Sequence, residues 1–167
     1  MMGASRRHVR PATGSDAGLL CDMTLELARY EGLESLVSAT PQRLAEVLSE
    51  PRPRVFYEVA EADGESAGFI AWFHTYSTFE GWHGLFVEDV FVREPWRRKG
   101  LARLMFMRMA GHCLDEGLTR LEWRVLAWNE PAIQFFKSLQ APVNAEWRFG
   151  RMTQADIAAL AAIRAER

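Results

Sequence analysis

The feature that most constrains the fold is a basic loop between an apolar run and a long apolar helix, in FVEDVFVREPWRRKGLARLMFMRMA (86–110). A helix start normally takes Ser, Thr, Asp or Asn, whose side chain accepts a hydrogen bond from the free N–H groups of the first turn. Here three cations and a glycine stand instead: Arg97, Arg98, Lys99 and Gly100. Because the N–H groups of an uncapped helix start converge and the helix dipole favours negative charge, the loop predicts a phosphate or pyrophosphate site. A solvated basic turn is the alternative.

The spacing of this loop separates it from two common nucleotide-binding motifs. A P-loop needs Gly-x-x-x-x-Gly-Lys-Ser/Thr, and the dinucleotide-binding fingerprint needs three glycines. The pattern here is Arg-x-x-Gly-x-Ala, completed by Ala102. Gly100 lets the backbone approach a ligand closely, and the adjacent cations attract a multiply charged anion.

Composition and charge exclude several classes of function. The chain has 167 residues, 49% of them hydrophobic and 25% charged, and we expect one domain spanning 1–167. A net charge of -2 disfavours a general nucleic-acid surface. Apolar runs are far shorter than the ~18 residues of a membrane span, and the N-terminus lacks the apolar core of a signal peptide. We therefore expect no nucleic-acid partner and no membrane association.

Cysteine and histidine positions predict a cytoplasmic protein without a metal. Cys21 and Cys113 are far apart and fit no metal-ligand spacing, which indicates reduced, buried thiols. The four histidines also show no ligand spacing: His8, His74, His83 and His112.

Strand-like and helix-like segments are mixed along the chain. Asp63-Gly64 is the clearest local signal, because it supplies the positive φ angles of a tight turn between two β-rich runs. Strands are predicted near 7–11, 54–62, 65–77, 84–92, 120–127 and 143–152, and helices near 15–32, 40–50, 101–116, 129–140 and 153–167. The expected helix caps are Ser15 or Asp16, Thr40, Asn129 and Thr153. This order predicts an α/β fold with a mixed sheet.

The helix predicted at 101–116 has one narrow polar stripe. Its members are Arg108, His112, Asp115 and Glu116. The rest of the circumference is apolar, so we expect this helix to pack against a sheet with the stripe, and His112 with it, facing solvent.

The loop and its neighbours resemble the GCN5-related N-acetyltransferases, the GNAT family. Members carry a Gln/Arg-x-x-Gly-x-Gly/Ala loop between a strand and a helix, and Arg97, Gly100 and Ala102 occupy the motif positions. The segments ELARYE, VEDVFV and WNEPAIQFF are similar to the diamine branch, the spermidine/spermine and thialysine N-acetyltransferases. The resemblance implies the GNAT fold, with a mixed and mostly antiparallel central sheet flanked by helices. It also implies a homodimer that transfers the acetyl group of acetyl-CoA directly to a primary amine.

The resemblance further implies which residues bind acetyl-CoA. They belong to the loop, to the backbone of the preceding strand and to the helix that starts at Asn129: Val90, Phe91, Val92, Arg97, Arg98, Lys99, Gly100, Leu101, Ala102, Asn129 and Phe136. At Phe136 the family has a tyrosine that protonates the departing thiolate. Phenylalanine cannot donate a proton, so we expect a slower enzyme, or one in which water or another group acts as the acid. Gln140 stands where the branch has a glycine, so the conformation of the turn after this helix is not predicted.

Two carboxylates interrupt the apolar strand GLFVEDVFV. Adjacent residues of a regular strand point to opposite faces, so Glu88 and Asp89 cannot both face one site if the strand is regular. Each could pair with an arginine or cap backbone donors, and we favour this interpretation for Asp89. The resemblance places Glu88 at the acceptor amine, where a catalytic carboxylate would attract the cation and accept its proton.

The acceptor is expected to be a small diamine, a polyamine or a lysine-like amino acid. The residues that the resemblance assigns to its site are Tyr30, Glu31, Glu88, Asp89 and Glu146. Glu31 and Glu146 could equally be solvated surface charges. Two other functions stay open: an acyl-CoA sensor that lost catalysis together with the tyrosine, and an acetyltransferase for a protein or peptide amine.

Overall fold

The computed structural model describes residues 6–141, 143, 144, 146 and 148–162. The chain divides between Arg124 and Val125 into two compact units. The first unit contains β1 (Arg7–Pro11), α1 (Ala17–Glu31), α2 (Pro41–Leu48), β2 (Phe56–Ala62), β3 (Glu65–Ser77), β4 (Trp82–Val92), α3 (Leu101–Asp115) and β5 (Leu121–Trp123). The described residues of the second unit contain α4 (Glu130–Ser138) and α5 (Gln154–Ala162).

The strands of the first unit form one mixed sheet in the order β1-β2-β3-β4-β5. The pairs β1-β2, β2-β3 and β3-β4 are antiparallel, and the pair β4-β5 is parallel. β2 and β3 are joined by the predicted tight turn, in which Asp63 and Gly64 have φ angles of 52° and 87°. Positive φ at both central residues gives the turn the twist that a two-residue hairpin needs. The expected α/β fold with a mixed, mostly antiparallel sheet is confirmed.

α1 and α2 cover one face of the sheet. Leu20 and Met23 of α1 and Leu44 of α2 are buried in a cluster with Val59 of β2 and Phe69 of β3. Burying a large apolar side chain contributes about 1.5–3 kcal/mol, so this cluster is the main reason why α1 and α2 stay on the sheet.

α3 covers the opposite face. Strand residues alternate between faces, so Trp72 of β3 points away from Phe69 and towards α3. Its ring centre lies 5.2 Å from that of His112. Met105 and Met109 of α3 are completely buried.

The polar stripe of α3 contacts the sheet, so the expectation that His112 faces solvent was wrong. Glu58 of β2 is buried with 3% exposure. His112 Nε2 lies 2.9 Å from Glu58 Oε1, and Arg108 Nε pairs with Glu58 Oε2. His74 Nε2 lies 2.7 Å from Glu116 Oε2. A carboxylate buried without partners would be strongly unfavourable, and helical periodicity alone cannot show that an acid from another strand lies opposite the stripe.

The start of α1 is fixed by a network around the buried carboxylate of Asp16. Asp16 does not cap α1 with its side chain; Arg10 donates to both its oxygens at 2.8 and 2.9 Å. The Thr13 N–H donates to Asp16 Oδ2 at 2.8 Å. The hydrogen bond from Arg10, followed by those from Thr13, outweighs burial and lowers the pKa of Asp16 to about 2.

Asp16→Asn is therefore expected to lower the free energy of unfolding at pH 7 by about 2 kcal/mol. The folded pKa lies below the ordinary value, so this stabilisation is present above about pH 4 and is lost as the pH falls towards 2. Urea unfolding at pH 7 and at pH 3 measures it, with the exposed Asp22→Asn as the control. Equal stability of wild type and Asp16→Asn at pH 7 would contradict the assignment.

The second unit keeps the predicted helices but not the predicted strand between them. The Asn129 side chain caps α4 by accepting from the Ala132 N–H at 3.3 Å, and Thr153 caps α5 by accepting from the Asp156 N–H at 3.2 Å. No strand occurs among the described residues of 143–152; positions 145 and 147 of that prediction, and 163–167 of the last helix, lie outside them. Gln140 adopts φ of 58° and preserves the turn after α4 without the glycine.

Across the described residues, no helix is both long and apolar enough to cross a membrane.

Candidate active site

The loop before α3 has the open helix start that the sequence predicts. Gly100 is the N-cap and has φ of 82°, in the left-handed region that favours glycine. The helix begins with the 3.0 Å bond from the Leu104 N–H to the Gly100 carbonyl. Glycine has no side-chain acceptor, so the first turn, which includes buried Leu101 and half-buried Ala102, presents its N–H groups without a side-chain cap. This is the geometry of an anion site.

Arg97 is held between the end of β4 and the end of α1. Its Nε donates to the Val92 carbonyl at 3.0 Å, and its guanidinium carbon lies 4.9 Å from the centre of the Tyr30 ring. Lys99 lies over a different ring, with Nζ 4.6 Å from the centre of Trp96. The structure thus brings together a residue predicted for the donor site, Arg97, and one predicted for the acceptor site, Tyr30.

A further cation reaches the loop, and the sequence does not predict it. Arg7 of β1 donates through Nη1 to the carbonyl oxygen of Lys99. A Cβ at Gly100 would lie 3.0 Å from the same nitrogen. Arg7 and Lys99 are 92 positions apart, so no local pattern could have indicated their contact.

β4 continues past the end of its pairing with β5. The parallel pairs stop at Val87 with Trp123, and the strand predicted at 120–127 is reduced to 121–123. β4 stays paired with β3 as far as Val92. In the described part of the chain, no strand pairs with 90–92 on the other side. Backbone groups in this position need a partner from elsewhere, which fits the predicted use of Val90, Phe91 and Val92 for a ligand.

β4 is irregular at Glu88. Val87 pairs with Trp72 and Asp89 pairs with Ala71, so Glu88 is an extra residue between two consecutive pairs. This is a β-bulge, which bends a strand and increases its twist. The alternation that would send Glu88 and Asp89 to opposite faces is therefore interrupted. Asp89 lies on the α1 side of the sheet, together with Ala71.

Asp89 is the carboxylate with the most perturbed environment. Burial, then the nearby charges of Glu88 and Glu31, raise its pKa to about 6, and Arg124 opposes the shift. Burial also raises the pKa of Glu31. These three carboxylates form an acidic cluster, in which the charges of Glu88 and Glu31 disfavour the ionisation of Asp89. Among the described residues, no three His, Cys, Asp or Glu side chains are arranged so that they could hold a metal ion.

The arginine partner that the sequence allowed for either carboxylate belongs to Glu88. Arg124 Nη2 lies 2.8 Å from Oε1 and 2.7 Å from Oε2 of the exposed Glu88. Among the described ion pairs and side-chain hydrogen bonds none involves Asp89, so the favoured interpretation, an arginine partner or a cap on backbone donors, was wrong in both forms. Arg124 lies 36 positions from Glu88, directly after the end of β5, and no local pattern indicates the pair.

Tyr57 is a second residue near the cluster that sequence reasoning missed. β2 pairs Tyr57 with Ala71, and β4 pairs Asp89 with the same residue, so Tyr57, Ala71 and Asp89 form one row across the sheet. Burial, followed by the charge of Asp89, raises the pKa of the Tyr57 phenol. Cross-strand position could have identified Tyr57, but only after the register was known.

The remaining predicted residues belong to the second unit. Asn129 and Phe136 lie two turns apart on α4, and Phe136 is buried with 3% exposure. Glu146 is exposed, and its backbone N–H donates to Asn144 Oδ1 at 2.8 Å.

Comparison with known proteins decides the family. Residues 22–140 match the model of the acetyltransferase (GNAT) family, which is more than half of the chain. The chain belongs to the GNAT family. Its members use acetyl-CoA as the acyl donor, and the loop before α3 of this GNAT protein lies within the matched residues.

Relatives of this GNAT protein confirm the predicted branch. It is 39% identical to the L-ornithine N5-acetyltransferase NATA1 of Arabidopsis thaliana, over 87% of this chain and 84% of the relative. It is 35% identical to the thialysine N-epsilon-acetyltransferase of Caenorhabditis elegans, over 76% of this chain and 78% of the relative. This GNAT protein is thus an N-acetyltransferase that acts on a primary amine.

Solved structures support the GNAT fold independently. An integron cassette protein of V. cholerae matches with a TM-score of 0.77 at 22% identity, covering 94% of this chain and 98% of that one. An aminoglycoside acetyltransferase from an uncultured soil metagenomic sample matches with a TM-score of 0.73 at 11% identity, covering 88% and 95%. At these identities the likeness concerns the fold alone.

Proposed function

We propose that the acceptor is a small molecule with a cationic alkyl amine, either a diamine or a lysine-like or ornithine-like amino acid. The observation that carries the proposal is the half-buried Asp89, whose pKa is raised to about 6 beside Glu88 and Glu31. An acidic cluster of this kind attracts an ammonium group and is too polar for an apolar acceptor. The names of the ornithine and thialysine relatives agree with this choice.

Asp89 and Glu88 suit different tasks in the transfer. An alkyl amine has a pKa near 10.4, so only about one molecule in a few thousand is neutral at pH 7, and only the neutral form attacks a thioester. A base works best when its pKa lies near the operating pH, which favours Asp89 as the group that takes the proton, directly or through water. Glu88, neutralised in part by Arg124, keeps the role of attracting the amine, with Glu31 and Tyr30 at the end of α1.

The loop and the free edge of β4 suit the acyl donor. Acetyl-CoA, when bound, supplies the acetyl thioester. In the proposal, the N–H groups of Gly100–Ala102 and the cations Arg97, Arg98 and Lys99 hold its pyrophosphate. The edge of 90–92 that faces away from β3 would hold the arm that leads to the thioester. The family resemblance also assigns Asn129 and Phe136 to the acyl donor.

The fall in activity on the acid side of the pH profile is expected to follow the protonation of Asp89. kcat/KM for the amine should fall as the pH drops through about 6, because protonated Asp89 neither attracts nor deprotonates the amine. Glu31 raises the pKa of Asp89 and Arg124 lowers it. Glu31→Gln should therefore move this fall to lower pH, and Arg124→Gln should move it to higher pH. Shifts in the same direction, or none in either variant, would show that another group controls the fall.

A free-thiol assay over a panel of amines tests the function as a whole. We expect turnover with ornithine, lysine analogues or short diamines, and saturable binding of acetyl-CoA by calorimetry. Binding of acetyl-CoA without turnover of any amine would support the acyl-CoA sensor. Activity on peptide amines and none on small amines would support a protein acetyltransferase. Absence of acetyl-CoA binding would overturn the proposal.

We further propose a cytoplasmic homodimer built from one acetyltransferase domain per chain. The two free cysteines fit a reducing compartment. The highly exposed Phe79 and Leu114 provide apolar surface of the kind that subunit contacts cover. Light scattering of the purified protein measures the assembly, and a monomer at all concentrations would reject the dimer.

A further inference from the structure

Arg7 makes a contact whose geometry bears on the phosphate loop. It is the first residue of β1, an edge strand, and its side chain is exposed. Its guanidinium Nη1 donates to the carbonyl oxygen of Lys99, the last residue before the N-cap of α3. The contact therefore joins the edge of the sheet to the peptide unit that opens the helix.

The planarity of that peptide unit gives the contact a directional consequence. In a trans peptide the C=O and the following N–H point in opposite directions. When Arg7 binds the Lys99 carbonyl on the β1 side, the Gly100 N–H must point to the opposite side. Gly100 has no Cβ and is conformationally permissive, so without an anchor this peptide plane would be free to rotate.

We propose that Arg7 is a positioning residue for the acyl donor: it fixes the Lys99–Gly100 peptide so that the Gly100 N–H points to the donor phosphate. The inference rests on the proposed phosphate site at the loop. Arg7 acts on the donor through the backbone and not through its own charge.

The lack of a side chain at position 100 leaves room for this arrangement. A Cβ there would lie 3.0 Å from Arg7 Nη1, a tight contact that the end of the Arg7 side chain would relieve by shifting. Gly100 also has φ of 82°, which side chains disfavour. The positive φ and the close approach of Arg7 are thus two parts of one local structure, in which the absence of a side chain lets the guanidinium reach the carbonyl.

The test compares acetyl-CoA with acetyl-pantetheine, which carries the same thioester but lacks the pyrophosphate. The variant is Arg7→Met, which keeps an unbranched apolar side chain and removes the hydrogen-bond donor. The control is Arg6→Met, which removes the same charge from the neighbouring residue, whose described contact with Asp63 is made by its backbone N–H. We measure KM and kcat for both donors at several salt concentrations.

We expect Arg7→Met to raise KM for acetyl-CoA about threefold to tenfold, the effect of losing one hydrogen bond, and to lower the preference for acetyl-CoA over acetyl-pantetheine by the same factor. Arg6→Met should keep the preference. The salt dependence of KM should be the same in the two variants, because a residue that acts through the backbone adds no ion pair to the phosphate.

Three outcomes would decide against the inference. If Arg7→Met keeps the wild-type preference for acetyl-CoA, Arg7 does not position the loop. If its salt dependence is weaker than that of Arg6→Met, Arg7 binds the phosphate directly and the positioning role is wrong. If wild type itself shows no preference for acetyl-CoA over acetyl-pantetheine, the proposed phosphate site fails and the inference fails with it.

Discussion

Replacing Asp89 with asparagine is expected to lower kcat/KM for the amine by about 10²–10⁴-fold, the range for losing a positioned acid or base. Asparagine has nearly the shape of Asp89 but carries no charge and accepts no proton at neutral pH. The loss should appear in kcat as well as in KM, because proton removal belongs to the chemical step. Steady-state kinetics with saturating acetyl-CoA measure both constants.

The same substitution is expected to stabilise the folded protein at neutral pH. The pKa of Asp89 is raised in the folded state to about 6, so ionisation opposes folding. This unfavourable contribution is complete above about pH 6 and disappears as the pH falls towards 4. Asp89→Asn should thus unfold with a free energy about 1–2 kcal/mol higher than wild type at pH 7.5, and the difference should vanish near pH 4.

Opposite changes in activity and stability separate a catalytic role from damage to the fold. Asp115→Asn, at an exposed position at the end of α3, is the matched control and should change neither quantity. If Asp89→Asn retains wild-type kcat, the proton is taken by another group, and Glu88→Gln becomes the variant to measure. If Asp89→Asn is less stable at pH 7.5, the carboxylate has a favourable partner and its assigned pKa direction is wrong.

Phe136→Tyr is expected to raise kcat by roughly tenfold or more, because a positioned acid contributes about 10²–10⁴-fold when it is fully effective. The related enzymes that the chain resembles have tyrosine at this position of α4. The new hydroxyl would protonate the thiolate as it leaves. KM for acetyl-CoA should change little, since the ring remains in place. A loss of the solvent isotope effect on kcat would show that proton delivery no longer limits turnover.

Phe135→Tyr is the matched control for this gain of function. Phe135 is adjacent on α4, with ring centres 5.2 Å apart, but it points in a different direction around the helix. The control should leave kcat unchanged. An unchanged or lower kcat in Phe136→Tyr would show that water or another side chain already supplies the proton efficiently, and that the missing hydroxyl does not limit the rate.

The parts of the fold that follow from local chemistry were predictable. The Asp63-Gly64 turn, the open start of α3 at Gly100 and the Asn129 cap each depend on a few adjacent residues, and the structure has all three. The sequence also singles out Glu88 and Asp89, because charges inside an apolar strand need an explanation.

The parts that depend on contacts between distant segments were not predictable. Arg124 pairs with Glu88, and His112 pairs with Glu58, across separations that no periodicity encodes. The bulge in β4 is visible only in its pairing with β3, because the segment VEDVFV alone predicts an ordinary strand. The resemblance to a family indicates which residues to expect at the site. The proposal that Asp89 takes the proton depends also on knowing which charges lie next to each carboxylate.

The extra residue in β4 could be lost without changing which residues the sheet buries. A chain shortened by one at Glu88 would still pair Val87 with Trp72 and Asp89 with Ala71, so both hydrophobic layers would remain in phase. It would lose the local bend and the added twist that a bulge introduces. A single inserted residue therefore changes the course of β4 without disturbing the hydrophobic layers on either side of the sheet.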